Sequence, residues 1–156
     1  MGGGRMDYSD MSRHYETRSY KSARRAEDIF TSTYMKDLLN PAKMKLPREA
    51  CDSVLSPYSK PYIFAEDITG SMDVFLMSLI QHEFPRLIRT MYENCKPDCV
   101  PHIMMMGVGD ASTEARDRAP LQVTQFETDT RILEQLEQIY IERGGGGNDS
   151  ESYILP

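Results

Sequence analysis

Two uninterrupted apolar runs in the second half of the chain predict strands. Residues 62–65 read Tyr-Ile-Phe-Ala, and residues 103–108 read Ile-Met-Met-Met-Gly-Val. The longer run, over residues 103–108, is typical of a strand that neighbouring layers cover on both faces. Residues 121–126 alternate more between apolar and polar side chains, which predicts an edge strand antiparallel to the one before it. We therefore expect a sheet in which residues 62–65 form a buried strand.

Helical spacing of apolar residues separates and follows these strands. Residues 72–81 and 86–94 carry apolar side chains three and four residues apart. Pro85 lies between the two stretches, and we expect it to kink or break the helix because proline lacks an amide donor. Residues 127–140 have helical spacing and begin with acidic residues, which favour a helix N-terminus. The alternation of strands and helices predicts an α/β fold.

The first 60 residues have a weaker pattern. Residues 1–22 are rich in Gly, Ser, Tyr, Arg and Asp, which predicts a flexible arm. A loosely helical spacing over residues 23–39 predicts a helix, and the proline-containing stretch that follows predicts a connector. We therefore divide the chain into an arm over residues 1–22, a helix and connector over residues 23–60, and an α/β domain over residues 61–156.

Composition excludes some classes of protein. With 156 residues, 40% hydrophobic and 27% charged, the chain has the make-up of one globular domain. No apolar stretch is long enough to cross a bilayer, and the N-terminus lacks a signal-peptide core, so we expect a cytoplasmic protein without a membrane partner. The net charge of -6 argues against nucleic acid as a partner.

The cysteines favour a reducing compartment. Cys51, Cys95 and Cys99 are odd in number, so complete pairing within the chain is excluded. The spacing of Cys95 and Cys99 suits a soft metal, but a closed zinc site needs four ligands and a second pair is hard to find. Free thiols are therefore favoured over a zinc site.

The turn that follows the first predicted strand carries candidate metal ligands. Asp67, Thr69 and Ser71 alternate there and offer one carboxylate and two hydroxyls. Oxygen ligands of this kind suit a hard cation such as Mg²⁺. Asp-Thr-Gly-Ser is also the nucleophile turn of aspartic proteases, but Ile68 displaces the carboxylate by one residue here. Ordinary turn chemistry, with Ser71 capping the next helix, stays open as an alternative.

Taken together, these residues resemble a known family. The spacing of Asp67, Thr69 and Ser71 resembles the first segment of the metal-ion-dependent adhesion site of von Willebrand factor A domains. A strand ending in Gly-Asp at Asp110, a Pro-Leu-Gln-Val strand at residues 120–123 and a glycine-rich loop follow in the family's order. More narrowly, the chain resembles bacterial and phage proteins with such a domain. The resemblance covers the chain from roughly residue 48 onward.

The resemblance implies a Rossmann-like, three-layer α/β fold with a mostly parallel sheet and one antiparallel edge strand. It also implies a metal site formed by the turn and by the loop after the run Gly144 to Gly147. The family places a threonine there, whereas this chain offers three other candidate ligands, and the choice among them stays open. These are Asn148, Asp149 and Ser150. Asp110 is either an acceptor that orients a ligand water or a turn residue.

The function implied by the resemblance is a non-catalytic protein interaction module. It would depend on Mg²⁺, or on Mn²⁺ or Ca²⁺, and an acidic side chain of a protein partner would complete the coordination. The alternative is a metal-dependent hydrolase of phosphoesters, for which a general base near the turn is missing from the sequence. Domains of this family continue beyond the glycine loop, so we expect an incomplete domain whose exposed sheet edge favours self-association.

Overall fold

The computed structural model describes residues 6–54, 56–95, 98–109 and 120–141, apart from the side chains of Tyr8 and Ser71. In chain order the elements are helix α1 (Tyr8–Thr17), strand β1 (Tyr58–Asp67), helix α2 (Asp73–Ser78), a π-helical turn (Leu79–Glu83), helix α3 (Phe84–Asn94), strands β2 (Cys99–Val108) and β3 (Leu121–Val123), and helix α4 (Arg131–Leu136). Single 3₁₀ turns lie at Tyr20–Ser22, Ala26–Asp28, Pro41–Lys43 and Gly70–Met72.

The three strands form one sheet in the order β1-β2-β3. Strand β1 pairs with β2 in parallel, from Tyr58 opposite Cys99 to Asp67 opposite Val108. Strand β3 pairs with β2 in antiparallel orientation, with Val123 opposite Met106. The predicted α/β class and the antiparallel edge strand are therefore confirmed.

Strand β1 differs from its prediction in burial. Side chains alternate between the two faces of a strand, and Ile63 on one face is 55% exposed. Phe64 on the other face packs against Phe84 of α3, with ring centroids 5.8 Å apart. Within the described residues β1 has one strand neighbour, β2. The prediction of a strand is confirmed, but the prediction that residues 62–65 are buried is wrong for Ile63 and Ala65.

The main apolar cluster lies on one face of the sheet. It contains Ile103 and Met105 of β2 but not Met104 between them. Tyr62 and Phe64, which share that face by register, pack against the cluster. Helical residues supply most of the remaining contacts; among them are Ile80, Phe84, Ile88, Ile132, Leu133 and Leu136. The helices therefore pack on the face that Ile103 and Met105 define.

The helix after β1 continues through Pro85 instead of breaking there. The π-helical turn Leu79–Glu83 joins α2 to α3, and Pro85 lies in the first turn of α3. A proline inside an α-helix clashes with the carbonyl four residues earlier, here Gln81. The wider turn removes that clash without ending the helix. Val74 and Phe75, predicted as part of the buried face of this helix, are exposed.

The flexible arm predicted for residues 1–22 is wrong for the described part. Residues Tyr8–Thr17 form α1, and the side chain of Asp7 caps the helix by accepting from the amide of Ser9. Met11 and Tyr15 are buried in the main cluster. The Tyr15 hydroxyl donates to the carbonyl of Ile80 at 2.7 Å. The arm and the sheet therefore share one core, which the predicted boundary at residue 22 would have divided.

The helix predicted over residues 23–39 is also wrong. Only Ala26–Asp28 form a short 3₁₀ turn there. The amide of Thr31 donates to the carbonyl of Glu137 at 2.9 Å, and Ser32 forms a parallel bridge with Tyr140. These long-range backbone bonds replace the local bonds of a helix.

Helix α4 begins later and ends earlier than the predicted range 127–140, although most of the predicted apolar residues are buried. Ile132, Leu133, Leu136 and Ile139 are buried. Glu127, the expected helix start, instead exchanges two backbone hydrogen bonds with Ile103 of β2, at 2.8 and 2.9 Å. No helix in the described ranges is long and apolar enough to cross a membrane.

Candidate metal-binding turn

The turn begins at the end of the sheet where β1 and β2 both finish. Asp67 is the last residue of β1 and lies opposite Val108, the last residue of β2. The amide of Ile68 donates to the carbonyl of Val108 at 3.0 Å, which extends the pairing by one residue. The chain then leaves the sheet through the 3₁₀ turn Gly70–Met72 and enters α2. The carboxyl ends of two parallel strands therefore flank the turn.

Asp67 and Thr69 are bound to each other. One carboxylate oxygen of Asp67, Oδ1, accepts from the amide of Thr69 at 2.8 Å and from its hydroxyl at 2.6 Å. Thr69 is 3% exposed, whereas Asp67 is half-buried. A hydroxyl that donates its proton keeps its oxygen lone pairs as acceptors. The turn therefore holds a carboxylate and a hydroxyl side by side, and both are oxygen groups of the kind that hard cations bind.

Close packing against β2 holds the turn in place. Ile68 is buried, and its side chain lies over Gly107 of β2. A Cβ atom at residue 107 would lie 3.0 Å from Cγ2 of Ile68 and 3.2 Å from Cγ2 of Ile139. Contacts of this length are tighter than most real Cβ contacts, so a larger residue at 107 would force both isoleucine side chains to shift. The apolar residue inside the turn thus fixes where Asp67 and Thr69 lie.

Two further carboxylates lie next to the turn in sequence, and they differ in position. Glu66 precedes Asp67 on β1, so its side chain points to the opposite face of the sheet. Burial raises the pKa of Glu66 above its usual value. Asp73 begins α2 and is half-buried. The sequence interpretation did not include Asp73, although it continues the alternation of Asp67, Thr69 and Ser71.

The structure brings two of the seven predicted metal-site residues together, Asp67 and Thr69. The backbone of Ser71 lies in the 3₁₀ turn, one residue before Met72, which occupies the N-cap position of α2. Because its side chain is outside the described part of the structure, metal binding and capping by Ser71 both stay predictions. The remaining predicted residues lie outside the described residues: Asp110, Asn148, Asp149 and Ser150. In the described ranges, no group of three or more His, Cys, Asp and Glu side chains is arranged to hold a metal ion.

A cavity of about 1050 Å³ lies at the opposite end of β2, which the sequence interpretation did not predict. Its lining includes Arg48, Asp52, Ser56 and His102. The ring nitrogen Nε2 of His102 lies 3.2 Å from the Ser56 hydroxyl. Burial lowers the pKa of His102, and the charge of Asp52 opposes that shift. The cavity lies at the end of the sheet where β2 begins, and the turn lies at the end where β1 and β2 finish. The cavity and the turn are therefore separate sites.

Comparison with known proteins adds no relative: no family model, curated protein or solved structure matches this chain. The assignment of function therefore depends on two features of the molecule. One is the geometry of Asp67 and Thr69, and the other is the order and direction of the strands around them.

Proposed function

We propose that this protein is a metal-dependent interaction module of the von Willebrand factor A type. Asp67, Thr69 and Ser71 would bind Mg²⁺ or Mn²⁺ together with a residue of the glycine-rich loop. The acidic side chain of a protein partner would complete the coordination. The observation that carries this proposal is the Asp67 carboxylate, bound to the amide and the hydroxyl of Thr69 at the carboxyl end of β1.

The strand directions support the proposed family. In open α/β sheets, ligands bind at the carboxyl ends of the strands. The turn after β1 occupies such a position, because β2 runs parallel to β1 and ends beside it. Helices α2 and α3 connect the two strands, and β3 follows as an antiparallel neighbour of β2. This is the order that the first half of an A domain has.

The ligand chemistry favours binding over hydrolysis. Mg²⁺ dehydrates reluctantly and is usually held by one or two carboxylates and several waters. The ligands proposed from the turn are one carboxylate and two hydroxyls, which, with one loop residue, leaves coordination positions for water and for a partner's carboxylate. Hydrolysis would need several converging carboxylates and a general base. The proposal therefore assigns the cation a bridging role between two proteins.

Calorimetric titration of the full chain with MgCl₂ and MnCl₂ tests this proposal. We expect saturable binding that Asp67→Ala weakens by at least about tenfold, because the variant removes the charged ligand and the anchor of Thr69. Glu66→Gln is the matched control, since it removes the neighbouring charge on the opposite face of β1. Its affinity should equal that of the parent protein.

Thermal unfolding in metal-free buffer shows whether both variants fold. Equal heats for the parent protein and a folded Asp67→Ala variant would contradict the proposed site. Metal-dependent turnover of a generic phosphodiester that is lost in Asp67→Ala would favour the hydrolase instead.

A further inference from the structure

Two cysteines meet at the end of the sheet opposite the metal-binding turn. Cys95 follows the last residue of α3, and Cys99 is the first residue of β2. Their sulfur atoms lie 2.7 Å apart, and both side chains are partly buried. Neither sulfur atom is in a disulfide bond. The fold therefore holds two reduced sulfur atoms in direct contact.

The ligand count favours a thiol pair over a metal site. A closed zinc site needs four ligands. Within the described ranges, no group of three or more His, Cys, Asp and Glu side chains is arranged to hold a metal ion. The two sulfur atoms are in contact with each other, as disulfide formation requires.

A lysine lies on the same face of the sheet as Cys99. The register partners are Lys60 with Pro101 and Tyr58 with Cys99. Lys60 and Cys99 therefore lie two register positions apart on neighbouring strands, on one face of the sheet. Thiol–disulfide exchange passes through negatively charged sulfur. The Lys60 ammonium is therefore placed to attract the charge that the exchange step develops.

We propose that Cys95 and Cys99 are an oxidisable dithiol that forms a reversible intramolecular disulfide by exchange with small-molecule disulfides of the glutathione class. One protein thiolate attacks a sulfur of the small disulfide and displaces one small thiolate, which leaves a mixed disulfide. The second protein thiolate then attacks the protein sulfur of that mixed disulfide and displaces the other small thiolate. The two protein thiols lose two electrons and two protons, and the small disulfide becomes two thiols.

The third cysteine provides an internal control. Cys51 is exposed, and its sulfur contacts the Glu49 carboxylate at 3.8 Å and not another thiol. Cys51 should therefore stop at the mixed disulfide, because no second thiol is placed to displace the small thiolate. The pair and the single cysteine thus respond to the same oxidant in chemically different ways.

The test incubates the reduced full chain in glutathione buffers of increasing oxidised fraction, followed by acid quenching, alkylation and peptide mapping without reductant. We expect a Cys95–Cys99 linked peptide that dithiothreitol removes, while Cys51 carries either the alkyl group or one glutathione. In Cys99→Ser, Cys95 should accumulate as a mixed disulfide. Cys51→Ser should leave the linked peptide unchanged.

The same titration in urea tests whether the fold, and not the short spacing alone, brings the sulfur atoms together. The folded chain should form the disulfide at an oxidised-to-reduced ratio at least about tenfold lower than the unfolded chain. Equal ratios in the two conditions would overturn the proposal. So would separate glutathione adducts on Cys95 and Cys99, or alkylation of both to the extent seen for Cys51.

Discussion

At the scale of single residues, the contacts with the largest consequences join distant parts of the chain. The hydroxyl of Tyr20 donates to the buried carboxylate of Glu137 at 2.5 Å, across 117 positions of sequence. His14 and Arg18 approach the same carboxylate at 3.4 and 3.5 Å. Burial and this hydrogen bond raise the pKa of Tyr20 well above its usual value.

Contacts between residues that are close in sequence were easier to predict than contacts between residues that are far apart in sequence. Asp67 and Thr69 lie two residues apart, and the sequence placed both in one turn, although it did not predict the hydrogen bonds between them. Nothing in the local sequence connects Tyr20 with Glu137, because their contact exists only after the core has formed. Local motifs could therefore be read from the sequence, and buried polar networks could not.

Tyr20→Phe tests the strength of the bond to Glu137. We expect a loss of about 1.5–3 kcal/mol in the free energy of unfolding, the range for hydrogen bonds to charged groups. Tyr15→Phe is the matched control, because the Tyr15 hydroxyl is equally buried but donates to a neutral carbonyl. It should cost about 0.5–1.5 kcal/mol. Urea unfolding measures the free energy of unfolding of both variants, provided that its dependence on urea concentration stays the same. A smaller loss for Tyr20→Phe than for Tyr15→Phe would contradict the assigned strength of the bond to Glu137.

At the scale of elements, the pattern predicted those elements whose apolar residues repeat strongly. The run over residues 103–108 lies within β2, and the stripe of Ile132, Leu133 and Leu136 lies on α4. The pattern did not predict helix α1, because its narrow apolar stripe, which includes Met11 and Tyr15, is surrounded by polar residues. The interruption expected at Pro85 takes the form of a π-helical turn directly before it, a local adjustment that periodicity does not indicate.

Met11→Ala tests whether α1 belongs to the core. Met11 is 2% exposed, so its truncation leaves a cavity and should cost about 2–5 kcal/mol of unfolding free energy. Arg13→Ala changes an exposed side chain of the same helix, whose ion pair with Asp10 spans 3.6 Å. That control should stay within about 0.5 kcal/mol of the parent protein. Equal urea unfolding midpoints for Met11→Ala and Arg13→Ala would contradict the packing of α1 in the core and would support a flexible arm instead.

At the scale of the whole molecule, the two faces of the sheet differ in how far other elements cover them. The main apolar cluster covers the face that carries Ile103 and Met105. On the other face, Ile63 and Ala65 of β1 are exposed. In the described part of the chain, β1 also has no strand along its outer edge. The family resemblance had predicted this exposed edge. The hydrophobic pattern did not predict that α1 and the sheet share one core.

The exposed edge leads to a prediction about association. An edge strand with apolar side chains and unpaired backbone groups is a template for pairing with another chain. We therefore expect the protein to self-associate through β1, with a mass in light scattering that rises with concentration. Ile63→Lys places a charge on the exposed face of β1 and should shift the mass toward that of the monomer.

Val54→Lys is the matched control for this variant. Val54 is 98% exposed, so the substitution adds the same charge without touching the sheet. If association occurs through β1, Ile63→Lys should lower the mass and Val54→Lys should leave it near that of the parent protein. An equal decrease in both variants would mean that net charge, and not the β1 edge, controls association. A parent protein that stays monomeric at all concentrations and unfolds cooperatively would show instead that the sheet needs no further strand at this edge.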